Sequence, residues 1–182
     1  MADGRVDEAI SSFLSGPQHR RGRREPVAAP GAAGGGPGAF AGLETRIAWE
    51  EALHRESARS ARYRRPAAVL VISAVPTART PEATAWLGRI AGAMAHAVHR
   101  GLRDTDLVTR TGDARFNVLL PETTEREVRH VADRIVLDCQ VWLTAVGAPV
   151  AVRAVSAATA SDSTLDMALE RALAAAGPLT EA

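Results

Sequence analysis

The apolar residues of this chain change spacing several times, and each change marks an element. Residues 43–64 hold no proline or glycine and carry a Glu51–Arg55 pair four apart, which predicts a helix ended by Pro66. AAVLVISAV, residues 67–75, is a short apolar run and predicts a buried strand. Residues 76–81 begin and end with proline and read as a loop. Leu87, Ile90, Ala91, Met94, Ala95 and Val98 then recur at helical spacing and predict an amphipathic helix over 85–102. Residues 106–110 and 115–120 read as two strands joined by a tight turn at 111–114. Thr124 and Glu127 have the spacing of a capping box. The helix that follows is expected to bury Val128, Val131, Ile135, Cys139 and Trp142. Residues 149–158 predict a strand, and 163–176 a last helix with Leu165, Leu169, Ala172 and Leu173 inward. The order α-β-α-β-β-α-β-α, with a hairpin at its centre, implies one α/β (α+β) sandwich around a mostly antiparallel sheet.

Composition narrows the class. The chain has 182 residues, 46% of them hydrophobic, enough for one core. Charged residues make up 24% and the net charge is +1, which argues against a wholesale nucleic-acid binder and against broad disorder. All 22 basic residues are arginine, so chemistry through a lysine amine is excluded. This bias, with the abundant alanine, points to a GC-rich bacterial genome. The single cysteine, Cys139, lies on an apolar stripe and reads as an inert core thiol, with no disulfide or cysteine zinc site to join. No apolar run reaches the length of a membrane span, and the N-terminus lacks a secretion signal, so a cytoplasmic protein is expected.

Residues 1–41 differ from the rest. HRRGRREP and PVAAPGAAGGGPGAFAG offer little apolar surface to bury, and a mobile Gly/Pro/Arg-rich arm is expected there. Val6, Ile10, Phe13 and Leu14 precede it at helical spacing. A short helix at 6–14 would dock on a partner or on the domain, or remain a frayed turn. The domain itself is expected at 42–178.

Several other side chains bear on chemistry. Arg55, Arg59 and Arg62 share a helix face, with Arg64 and Arg65 after them and Arg20, Arg21, Arg23 and Arg24 in the arm. They suit an anionic partner or, more simply, a solvated face; no interleaved aromatics offer stacking for bases. His54, His96, His99 and His130 read as polar surface; His96 and His99 share a helix face, but no carboxylate lies four residues on from either to complete a ligand set, so no metal site is expected. Trp86 and Trp142 read as packing residues. Ser73 has no base nearby in sequence.

From the hairpin outward the residues resemble a known family. RDTDLVTRTGDARFNVLLPETTEREVRHVADRI is similar to the core of the GGDEF domain, the diguanylate cyclase family, which reads R-x-x-D-L-V-x-R-x-G-G-D-E-F. GLETRIAWEEALHRESARSARYRRPAAVLVI resembles its opening helix and first strand. LERALAAA resembles its closing helix, with Glu170 where an aspartate is usual. The likeness covers residues 42–176 and implies the nucleotidyl-cyclase, ferredoxin-like sandwich. It also implies a reaction joining two GTP molecules into cyclic di-GMP, with carboxylates holding two divalent ions.

At those carboxylates this sequence departs from the pattern. The first-strand metal position falls on Ser73. Aligned on Arg110 and Phe116, the five signature residues become Gly112, Asp113, Ala114, Arg115 and Phe116. Alternatively Thr111, Gly112 and Asp113 stand for Gly-Gly-Asp, with Arg115 inserted. The guanine-reading stretch after the first strand is replaced by residues 76–82, which include no asparagine. The resemblance therefore implies a degenerate domain without cyclase activity and without a metal cofactor.

The family's inhibitory-site motif, R-x-x-D, is matched by Arg103-Asp104-Thr105-Asp106. In cyclases it binds product. A guanidinium can clamp a phosphate or a guanine edge, and a carboxylate accepts from guanine N1 and N2. Arg100, one turn earlier, would add positive potential. Cyclic di-GMP is thus the expected ligand of Arg103, Asp106 and Arg100, unless Asp106 merely caps its turn. The other reading is a ligand-independent module that contacts an unidentified protein, with Asp113 and Arg115 as surface charges at the hairpin tip.

Overall fold

The computed structural model describes residues 40–160 and 163–177. The arm and the element at 6–14 lie outside these residues, apart from residues 40 and 41. Eight elements follow one another: α1 (Arg46–Tyr63), β1 (Ala67–Pro76), α2 (Pro81–Arg100), β2 (Leu107–Gly112), β3 (Arg115–Pro121), α3 (Glu125–Ala145), β4 (Val150–Ala158) and α4 (Leu165–Ala176).

The four strands form one sheet in the order β2-β3-β1-β4, every pair antiparallel. β1 is central, and from Ala67 through Ala74 every residue is buried, as its unbroken apolar run requires. Successive side chains point to opposite faces. Leu70, Ile72, Phe116, Val118 and Leu120 meet Ile90, Met94, Val98, Ile135 and Cys139 of α2 and α3. Val69, Val71 and Leu119 meet Trp49 and Leu53 of α1 and Leu165, Ala168 and Ala172 of α4.

Local signals place the ends. Thr45, Thr80, Thr124 and Thr164 cap the four helices, each hydroxyl accepting a backbone N–H. The capping box of Thr124 and Glu127 is formed in both directions. α2 begins four residues earlier than expected. Pro81 is its first residue, where a missing N–H costs nothing, and Thr80 rather than the prolines sets the boundary. On α3 Ala132 is buried while Val131 packs partly exposed; on α4 Ala168 is buried while Leu169 and Leu173 pack partly exposed. β2 starts at Leu107 and runs on to Gly112 through a bulge, so the turn shrinks to Asp113 and Ala114.

Candidate functional site

The signature residues run through the bulge at the end of β2 and into β3. Arg110 makes the bend rigid: its Nε donates to the carbonyl of Gly112 at 2.9 Å, its Nη2 to that of Asp113 at 2.9 Å, and Phe40 lies against its guanidinium at 4.5 Å. Asp113 is exposed at the tip, 3.6 Å from Arg110. Ala114 turns into the α2–α3 core, its carbonyl accepting from Ala74. Phe116 is fully buried on the same side.

Arg115 corrects the expectation of a surface charge. It is only 7% exposed and sits on the α1–α4 face, because along β3 it alternates with Phe116, which faces α2 and α3. Its Nη1 donates to the carbonyl of Gly177, just past α4, at 2.9 Å. Its Nε is buried without a partner among the described residues, as are Asn117 Oδ1 and Thr111 Oγ1. Burial lowers the pKa of this guanidinium, yet an arginine remains a cation.

Ser73 stands directly across from Arg115 in the β1–β3 ladder and from Arg153 in the β1–β4 ladder. The three form a row across neighbouring strands, so they share one face of the sheet. The position where the resemblance implies a metal carboxylate thus holds a 9% exposed hydroxyl between two arginines. No carboxylate stands in that row, and among the described residues no three metal-binding side chains gather. This donor set does not fit a pair of hard dications, which need anionic oxygen. Arg153 and Asn117 were not singled out from the sequence. Only strand pairing brings them beside Ser73; a polar residue inside an apolar strand was the one available signal.

The R-x-x-D stretch forms the turn between α2 and β2. Asp106 Oδ2 accepts from the backbone N–H of Arg103 at 2.8 Å, while its Oδ1 is buried without a partner among the described residues. Burial pushes the pKa of this carboxyl up, against smaller opposing effects from Arg103 and Thr105. The Arg103 side chain is exposed above it. Arg100 is already paired, its Nη2 3.2 Å from Asp138 Oδ2 on α3. The structure therefore brings Arg103 and Asp106 together, but couples Arg100 to another helix.

The other candidates serve local packing. Arg59 is held by Glu56 at 2.8 Å and Glu122 at 3.0 Å, and Arg55 lies 3.8 Å from Glu51, so that helix face is not a bare cationic strip. His54 stands 3.4 Å from Asp166 at the α1–α4 contact. Trp142 is buried, and Trp86 packs against the core. Cys139 is fully buried and its thiol pKa is pushed up to about 12, chiefly by burial. No described helix is long and apolar enough to cross a membrane.

No family model matches the sequence, and no curated protein matches it. Solved structures do. The chain is similar to the diguanylate cyclase SiaD from Pseudomonas aeruginosa, solved with its activator SiaC, at 23% identity and a TM-score of 0.58, covering 71% of this chain and 52% of that one. It is similar to the GGDEF domain of YfiN, or TpbB, from the same organism, at 25% identity and a TM-score of 0.55, over 71% and 84% of the two chains. A third is the GGDEF domain of DgcB from Caulobacter crescentus, solved with c-di-GMP, at 15% identity and a TM-score of 0.58, over 80% and 88%. The fold is that of GGDEF domains.

Proposed function

We propose that this chain is a GGDEF-type domain without cyclase activity that acts as a cyclic di-GMP receptor. One observation carries the first half: a buried guanidinium, Arg115, stands directly across from Ser73, the position where the resemblance implies a metal carboxylate. A fixed positive charge repels a metal ion, and a serine hydroxyl does not compensate. Incubation with GTP and either Mg²⁺ or Mn²⁺ is expected to yield no cyclic product.

The receptor role rests on Arg103 and Asp106. The bond from the Arg103 N–H to Asp106 Oδ2 holds the Asp106 carboxyl against the Arg103 backbone, next to an exposed guanidinium, so the two would meet a ligand at one turn once Asp106 Oδ1 is uncovered. The guanidinium would take a phosphate or a guanine Hoogsteen edge; the carboxylate would accept guanine N1 and N2 protons. Arg100 adds to this field once it parts from Asp138. The likeness to DgcB, solved with c-di-GMP, supports the same choice of ligand. The segment before residue 42 would then couple the bound state to a protein partner. Calorimetric titration is expected to show binding at tens of micromolar protein, weakened at least tenfold by Arg103→Ala.

The same hydrogen bond favours a second reading, in which Asp106 only closes the turn and the domain is a ligand-independent docking module. SiaD, which carries this fold, was solved with a protein activator. Absence of heat with cyclic di-GMP would select this reading. So would capture of a host protein that mutation of Asp113, not Arg103, abolishes.

A further inference from the structure

The sheet has two edges, and they are finished differently. Along β2 the chain folds back over its own edge. Glu44 N donates to the carbonyl of Val108 at 2.8 Å, Thr109 Oγ1 donates to that of Glu44 at 3.0 Å, and Trp49 Nε1 donates to that of Leu107 at 3.3 Å. β4 has no such cover among the described residues. Its odd-numbered residues bond to β1, a phase fixed by Thr159 N to Ala67 O and by Thr77 N to Pro149 O. The even-numbered residues therefore aim their N–H and C=O groups outward. At Ala158 both are taken: its N–H donates to Glu125 Oε2 at 3.0 Å, and its carbonyl accepts from Arg171 at 3.0 Å. These side chains border an open groove of about 340 Å³ along the strand's last residues. Among the described residues Val152, Ala154 and Ser156 are left as a window of unpaired main chain centred on Ala154.

We propose that this window pairs with the same window of a second copy of this chain, antiparallel, about a two-fold axis at Ala154. A strand pairing with its own copy closes the assembly at two subunits, and the residues along β4 select one register. With Ala154 opposite the partner's Ala154, Val152 faces the partner's Ser156, and each facing pair exchanges two main-chain hydrogen bonds. Arg153 then faces the partner's Val155. Centring one residue earlier would set Arg153 against the partner's Arg153, a like-charge pair. Centring one residue later would direct Val152 at the partner's Ala158, whose groups are already occupied. Within the window β4 carries no proline and no bulge, the usual means of blunting a free edge. The two sheets would join into one continuous eight-stranded sheet, an inference that does not depend on cyclic di-GMP.

The test is sedimentation of the full chain at tens of micromolar, beside the variants Ala154→Pro and Ala154→Cys. Proline removes the central outward N–H, and an edge strand tolerates it in the fold. The wild-type chain is expected to sediment as a dimer and Ala154→Pro as a monomer with an unchanged far-UV spectrum. Ala154→Cys is expected to form an intersubunit disulfide on mild oxidation, because a facing pair holds its Cα atoms about 5.5 Å apart. Arg153→Cys, out of register, should crosslink at least tenfold less. Buried Cys139 supplies no competing thiol. A monomeric wild-type chain overturns the proposal, including one whose edge is covered by residues of the same chain or awaits a foreign strand. So does a dimer that survives Ala154→Pro, or one that Ala154→Cys fails to crosslink. Should Ala154→Pro fail to fold, the crosslinking pair decides alone.

Discussion

Ser73 and Arg115 carry the argument at the scale of single residues. Because Ala74 donates to Ala114, the even-numbered residues of β1 hold the hydrogen bonds to β3, and Ser73 and Arg115 form the closer, non-bonded kind of pair. Carboxylates at both positions would lie near enough to share an ion. The double variant Ser73→Asp, Arg115→Glu is therefore expected to gain thermal stability from Mn²⁺, with the wild-type chain unaffected; equal shifts in a melting experiment would remove the charge argument. Asp106 gives a second residue-level test. Its carboxyl titrates above the ordinary 3.8, chiefly through burial, so the folded state takes up a proton at higher pH than the unfolded chain does. Stability gains from that proton as pH falls, whereas the affinity for cyclic di-GMP falls, since a protonated acid accepts less from guanine. Titrations across the acid range should show the loss, and Asp106→Asn should flatten it. The substitutions at these positions were legible in the sequence. The burial of Arg115 was not: alternation along β3 sets it opposite Phe116, but the string does not say that both faces of the sheet are covered at the hairpin end.

At the scale of elements, the most local signals were the most legible. The capping box at Thr124 needs only four consecutive residues and formed as expected. Thr124→Ala is expected to lower stability by about 1 kcal/mol, measured by chemical denaturation. The hydroxyl and N–H of Thr124 hold the Glu127 carboxyl below its ordinary 4.5. A depressed acid contributes stability above its unfolded value and loses it as pH falls through the folded one, so the wild-type advantage over Thr124→Ala should shrink in acid. Packing between elements was less legible. Gly101 ends α2 where a Cβ would come within 2.6 Å of Ile135 Cγ1 on α3. Its backbone angles suit any residue, so only the neighbouring helix dictates glycine. Gly101→Ala is expected to cost about 1–3 kcal/mol through overpacking, read from the same denaturation curves. The preference for Ala132 over Val131 beneath α3 has the same origin, since a periodicity count cannot see how closely a helix approaches its sheet.

For the whole molecule, the decisive fact is that one strand is shared by everything else. β1 bonds β3 through its even-numbered residues and β4 through its odd-numbered ones, and its two faces feed the two cores. Its unbroken apolar run made that centrality legible; the order of the strands around it was not, because run length does not say which neighbours a strand takes. The arrangement sets a pattern for amide hydrogen exchange. From Ala68 to Val75 every amide should be protected to the limit of global unfolding. Along β4 protection should alternate: Arg153, Val155 and Ala157 slow at any concentration, and Val152, Ala154 and Ser156 fast in dilute protein. Ala158, although it points outward, should stay slow because Glu125 accepts its proton. If the edges of two copies meet as proposed, the three fast amides should slow together as protein concentration rises, while Arg153 and Val155 do not change. Uniform rates along β4 would contradict the pairing phase on which both the row at Ser73 and the free edge depend.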